Sequence, residues 1–142
     1  MNKFIRMHLM TLSLFVVLFF NLNMDWLSAG NNNDWIMLTD KEQLKMIIKE
    51  SETIPIIIYK HSTRCGLSSM TKNMLDKGWG QLKPHSKLYY LDLLRYREVS
   101  RMIAEKFNVR HQSPQILIIK KGESVFDTSH FNINVEAILE NL

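Results

Sequence analysis

Ile54-Pro55-Ile56-Ile57-Ile58-Tyr59 runs without a break into "KHSTRCGLSSM", residues 60–70, and this join decides the fold. A short apolar run rich in β-branched residues predicts a buried strand, here Pro55 to Lys60. Leu67, Met70 and Met74 follow at helical spacing and predict a helix that stops near Gly78 and Gly80. Cys65, the only cysteine in the chain, therefore stands at a strand-to-helix turn. One cysteine cannot close an internal disulfide, so any redox chemistry needs a thiol from another molecule.

Working outward from this join, Trp35-Ile36-Met37-Leu38 reads as a short strand. Thr39-Asp40-Lys41-Glu42 reads as a capping box opening a helix with Leu44, Ile47 and Ile48 on one face. Downstream, Lys87 to Leu93 predicts a strand, and Arg95 to Phe107 a helix facing inward with Tyr96, Val99, Ile103 and Phe107. "QILIIKKGESVFDTSH", residues 115–130, predicts a β-hairpin turning at Lys121-Gly122, and Val135, Ile138, Leu139 and Leu142 mark a closing helix. The order βαβαβαββα predicts an α/β fold with a central mixed β-sheet flanked by helices, the layout of a thioredoxin-like domain. With 142 residues, 46% of them hydrophobic, the chain has room for one such core and not two. Lys and Arg exceed Asp and Glu by 18 − 14 = +4, spread along the chain, which argues against nucleic acid as a partner.

Residues 1–30 differ in character. Lys3 and Arg6 precede Leu9 to Phe20, apolar apart from Thr11 and Ser13 and shorter than the about 20 residues of a bilayer span. This reads as a signal-like or anchor segment oriented with its N-terminus inside, and Leu27-Ser28-Ala29 offers a cleavage site, with Asp25 and Trp26 awkwardly placed before it. A mis-started extension ahead of Met24 explains the same residues equally well. Gly30 to Asn33 ("GNNN") marks the start of the folded domain, residues 31–142.

A thiol at a helix N-terminus faces unpaired N–H groups and the positive end of the helix dipole, which favour the thiolate. Lys60, His61 and Arg64 agree in sign, no acid lies between Tyr59 and Asp76, and Ser68 can offer its hydroxyl to the sulfur. Ser62 and Thr63 can either cap the helix or touch a substrate. Gln112-Ser113-Pro114-Gln115 enters a strand through a proline, which a cis Ser113-Pro114 bond would explain, leaving the Ser113 backbone free to pair with an extended substrate. Each feature also has a plain structural reading: an inert buried cysteine, a surface histidine, a solvated arginine, a trans proline. His61, His85, His111 and His130 lack the paired spacing of metal ligands, so no metal is expected.

"KHSTRCGLSSM", "YYLDLLRYREVSRMIAEKFNVRHQSPQILIIKKG" and the terminal "SH…INVEAILENL" resemble the monothiol bacilliredoxins, the YtxJ-like proteins of the bacillithiol system, from Trp35 to the C-terminus. The resemblance implies that Cys65 is the catalytic thiol and removes bacillithiol from S-bacillithiolated proteins. His61, Ser62, Thr63, Arg64, Ser68, Ser113 and Pro114 are then the substrate-binding residues. It implies no bound cofactor, bacillithiol as co-substrate, a recycling reductase, and a cytoplasmic setting. Membrane anchoring or export through residues 9–20 is the alternative, since that segment is foreign to the family pattern. Gly66-Leu67 departs from the Thr-Cys-Pro-Ile-Ser of many members, and Ser68 stands where a dithiol enzyme keeps its resolving cysteine. Two other readings stay open. "CGLS" is one residue from the Cys-Gly-Phe-Ser of monothiol glutaredoxins, which carry iron–sulfur clusters, although their Thr-Val-Pro and Gly-Gly-Cys-Asp segments are missing. The other is a non-catalytic thioredoxin-like binding module with a silent cysteine.

Overall fold

The computed structural model describes Trp35–Leu142; the apolar stretch 9–20 and the expected domain boundary after residue 30 lie outside the described residues. In chain order the elements are β1 (Ile36–Met37), α1 (Lys41–Glu50), β2 (Ile56–His61), α2 (Gly66–Leu82), β3 (Lys87–Asp92), α3 (Arg97–Lys106), β4 (Gln115–Lys120), β5 (Glu123–Ser129) and α4 (Val135–Glu140). Short 3₁₀ turns at Lys83–His85 and His130–Asn132 follow α2 and β5. The sheet runs β1-β3-β2-β4-β5, parallel across β1, β3 and β2 and antiparallel from β2 through β4 to β5. This is the mixed thioredoxin-like arrangement expected from the element order.

β2 is central, and all six of its residues are buried. Alternate side chains leave a strand on opposite faces. Ile56 and Ile58 pack with Leu44 and Ile47 of α1 and Val99 and Ile103 of α3, while Ile57 and Tyr59 pack with Leu75 and Trp79 of α2 and Ile138 of α4. Full burial of each such aliphatic side chain stabilises the fold by roughly 1.5–3 kcal/mol. The hairpin turns where expected, with φ of 49° at Lys121 and 76° at Gly122. Two successive left-handed residues match the right-handed twist of the flanking strands. The turn is tied down from outside, as the N–H groups of Lys121 and Gly122 donate to the carbonyl and hydroxyl of Ser51 at 2.8 and 2.9 Å.

Three local expectations shift. The cap of α1 is Asp40, not Thr39: its carboxylate accepts from the N–H groups of Glu42 and Gln43 at 2.9 and 3.1 Å. The Gln43 side chain returns to the Asp40 N–H at 3.2 Å, so Gln43 takes the place assigned to Glu42. The inner face of α2 is Ser68, Thr71, Leu75, Trp79 and Leu82; Leu67 and Met74 are half-buried and Met70 is 61% exposed. Small polar residues face the sheet in the first turns, where Ser68 bonds Tyr59 and the Ser62 N–H and the Thr71 hydroxyl donates to the Leu67 carbonyl. Finally, α2 passes through Gly78 and Gly80 to Leu82. Gly78 is a packing residue, since a Cβ there would overlap the side chain of Val135 on α4. Among the described residues no helix is long and apolar enough to cross a membrane.

Candidate active site

After His61 the chain leaves the sheet through Ser62, Thr63 and Arg64, and the Cys65 N–H donates to the Ser62 carbonyl at 3.1 Å. Cys65 is itself the N-cap of α2, in extended conformation (φ −115°, ψ 118°), and no side chain caps this helix. The hydroxyls of Ser62 and Thr63 therefore do not take up the first N–H groups, which are left to the sulfur. Cys65 is half-exposed. The Ser68 N–H, foremost, with the Ser68 hydroxyl and the Leu67 N–H, holds its pKa below the ordinary thiol value, against an opposing effect of desolvation.

The basic neighbours contribute differently from the sequence expectation. Strand alternation sends Lys60 to the α1/α3 face of the sheet, and His61 is buried, with its own pKa lowered by desolvation. The thiolate is held by main-chain and hydroxyl donors of the first helical turn rather than by flanking cations. Thr63 and Arg64 are exposed beside it and Ser62 is half-buried.

Ser68 is fully buried and is the pivot of the site. Its hydroxyl accepts from the Ser62 N–H at 3.3 Å, which ties the loop before Cys65 to the helix after it. Its carbonyl accepts from the Tyr59 hydroxyl at 2.8 Å, and that hydroxyl lies 3.4 Å from Nδ1 of His61. Trp35, His61 and Tyr90 pack around the Tyr59 ring at centroid distances of 5.8, 5.8 and 6.2 Å. Burial drives the Tyr59 pKa far above its usual value, so the phenol stays a neutral donor. Tyr59 was not singled out as a site residue in the sequence. Its signal was nonetheless present, because a lone hydroxyl inside a run of isoleucines on a buried strand must find a partner.

β4 supplies the other wall. Lys60 pairs with Gln115 across β2 and β4, so the loop 112–114 reaches the same end of the sheet as the loop 62–65. The Ser113-Pro114 bond is cis. Pro114 is buried and its carbonyl accepts from the His130 N–H at 3.0 Å; the Ser113 hydroxyl is buried without a partner among the described residues. Gln112 is fixed by the Ser129 hydroxyl. Among the described residues no three His, Cys, Asp or Glu side chains gather into a metal-binding group.

A single stabilised thiolate at a helix N-terminus, with a serine in the first turn, is the geometry of a one-thiol exchange enzyme. A sequence model of the family "Monothiol bacilliredoxin BrxC" matches residues 36–138. The chain belongs to this family. It is a bacilliredoxin-family thiol-disulfide oxidoreductase, in agreement with the resemblance in the cysteine loop and the Ser-Pro segment. A solved protein described as having a thioredoxin fold superposes with a TM-score of 0.69 at 28% identity, covering 78% of this chain and 96% of that one. Mitochondrial thioredoxin 3 from Saccharomyces cerevisiae superposes with a TM-score of 0.63 at 17% identity, covering 80% of this chain and all (100%) of its own. The thioredoxin from Trypanosoma brucei brucei gives 0.61 at 18%, covering 80% and 91%. At these identities the two thioredoxins speak for the fold of the bacilliredoxin domain alone.

Proposed function

We propose that this chain removes bacillithiol from S-bacillithiolated proteins. The Cys65 thiolate attacks the bacillithiol-side sulfur of the mixed disulfide. A Cys65–bacillithiol disulfide forms, the original S–S bond breaks, and the protein thiolate leaves with the electron pair. What carries the reading is the pairing of Cys65 with Ser68: one stabilised thiolate, and a fully buried hydroxyl where a resolving thiol would stand. The Cys65–bacillithiol disulfide therefore persists until an external thiol, from free bacillithiol or a recycling reductase, attacks it. A cytoplasmic setting is part of the proposal, since an unpaired nucleophilic thiol suits a reducing compartment.

Intact mass after exposure to oxidised bacillithiol and, in parallel, to oxidised glutathione tests this. One bacillithiol adds to the wild type and none to Cys65→Ser, with glutathione adding more slowly. Equal addition of both thiols would overturn bacillithiol as the co-substrate, and addition to Cys65→Ser would overturn the assignment of the thiol.

A further inference from the structure

Strand register brings the end of β5 to the thiol end of the sheet. Lys60 pairs with Gln115, and Gln115 pairs with Ser129, so the last residues of β2 and β5 flank the first residue of β4. Adjacent strands lie about 4.8 Å apart, which sets the end of β5 roughly 10 Å from the end of β2. The turn His130–Asn132 starts there, and α2, whose N-cap is Cys65, packs against it.

This turn is fixed on both sides. His130 has a φ of 56°, a left-handed conformation uncommon for a residue with a side chain and retained where the surroundings enforce it. Its N–H donates to the Pro114 carbonyl at 3.0 Å, and its Nδ1 lies 3.0 Å from the Ser129 hydroxyl, which donates to the Gln112 side chain. Ile133, just beyond the turn, is buried in the core with residues of α2 and α4. Between these anchors Phe131 is 81% exposed, the most exposed large hydrophobic side chain among the described residues. A single exposed apolar residue needs no explanation by itself. Phe131 differs because a left-handed residue and bonds to the loop 112–114 hold its backbone so that the ring stays in solvent.

We propose that Phe131 selects the protein substrate, by receiving an apolar side chain about three residues along the chain from the modified cysteine. An extended segment covers roughly 10 Å in about three residues, the span from the end of β2 to the end of β5. The ring offers no charge and no hydrogen bond of ordinary strength, so the segment it favours is apolar; aromatic side chains are enriched in protein interfaces because one stiff ring supplies a large contact area. This rests on the reading that Cys65 releases thiols from modified proteins, and it concerns which proteins are chosen. The exchange itself is unaltered: the Cys65 disulfide forms and the substrate thiolate leaves.

Short peptides with one cysteine, flanked by Leu or by Ser, are converted to mixed disulfides with bacillithiol and, in parallel, with 2-mercaptoethanol. Release of the peptide thiol by the full chain is timed under single-turnover conditions. The wild type releases the Leu peptides about tenfold faster than the Ser peptides in both series, a discrimination within reach of burying one leucine. Phe131→Ser brings the ratio to within about twofold and leaves iodoacetamide alkylation of Cys65 unchanged, while Phe131→Leu keeps most of the ratio. Val125→Thr, an exposed position of β5 nearer the Lys121-Gly122 turn, keeps all of it. Equal rates for Leu and Ser peptides in the wild type, or an unchanged ratio in Phe131→Ser, overturn the proposal. Alkylation slowed as much as peptide release overturns it too, by placing Phe131 in the support of the thiol. Release in the 2-mercaptoethanol series alone removes bacillithiol from the proposed function and leaves the Phe131 ratio readable; release in neither series overturns both.

Discussion

The Tyr59 hydroxyl donates to the Ser68 carbonyl at 2.8 Å, from the middle of a buried strand to the first turn of the helix that carries the thiol. Ser68 in turn presents its N–H and hydroxyl to Cys65 and its hydroxyl oxygen to the Ser62 N–H. The sulfur is therefore oriented by a residue that is itself held from beneath by the sheet. Strand, loop and helix share one hydrogen-bonded node, and the groups that lower the Cys65 pKa are donors of this node and the first helical turn, not the charges of neighbouring side chains.

Ser68→Ala removes one of the donors that lower the Cys65 pKa, and the N–H of residue 68 remains. The midpoint of iodoacetamide alkylation against pH moves upward but stays below that of an ordinary thiol. The same change strands the Ser62 N–H, at a cost of about 1–2 kcal/mol in urea unfolding. An unchanged alkylation midpoint would remove the hydroxyl from the site's electrostatics.

Tyr59→Phe keeps the ring and deletes the buried bond to the Ser68 carbonyl. Stability falls by about 0.5–1.5 kcal/mol. Ser68→Ala leaves that carbonyl in place, so Tyr59→Phe should cost about the same in the Ser68→Ala background as in the wild type. Unchanged stability in Tyr59→Phe would mean that Tyr59 only fills space.

Lys60 has its pKa lowered from 10.5 to about 8 by desolvation. Between about pH 8 and 10.5 the unfolded chain binds more protons at this residue than the folded one, so stability rises with pH across that window. The burden of the buried ammonium is fully present below pH 8. Cys65, also lowered on folding, adds a rise of the same sign, so the measurement belongs in a Cys65→Ser background. Tyr89 and Tyr90, raised to about 12, bind protons more tightly in the folded state and lower stability above about pH 10. Urea midpoints should climb from pH 7.5 to 9.5, and Lys60→Met should flatten the climb and raise the value at pH 7.5. A flat profile with Lys60 present would show that its ammonium is compensated.

Gly78→Ala gains roughly 1 kcal/mol of helix propensity and loses roughly 1–3 kcal/mol to overlap with Val135. Thermal unfolding should move down by several degrees, about 4–8 °C per kcal/mol for a domain of this size. Gly80→Ala, where nothing lies within 4 Å, is the control and should raise the midpoint. A rise in both would show that α4 yields freely at this contact.

Much of this was open to a reader of the chain. The isoleucine run before Cys65, the Lys121-Gly122 turn and the proline at the β4 entrance each carry local chemistry that fixes a strand, a turn and a loop whatever surrounds them. The helix after Cys65 was harder. Its methionines are hydrophobic and helically spaced, so they resembled an inner face, while the true inner face begins with Ser68 and Thr71. Gly78 likewise has the composition of a stop and the role of a contact, and only the position of α4 distinguishes the two.

Sequence alone determined the element order, the placement of the sole thiol at a strand-to-helix turn and the absence of a second cysteine to resolve it, because hydrophobic periodicity and backbone preferences are local properties. Tertiary structure alone decided what holds the thiolate and where the charges go. Lys60 and His61 are consecutive, yet the pleat sends them to opposite faces, one to His111 and Gln115, the other to Tyr59 and Tyr90. Residues 51 and 55 positions apart meet at the Lys60 ammonium. No pattern along the chain encodes that meeting, since it follows from the register of β2 against β4, and register is set by the packing of both sheet faces at once.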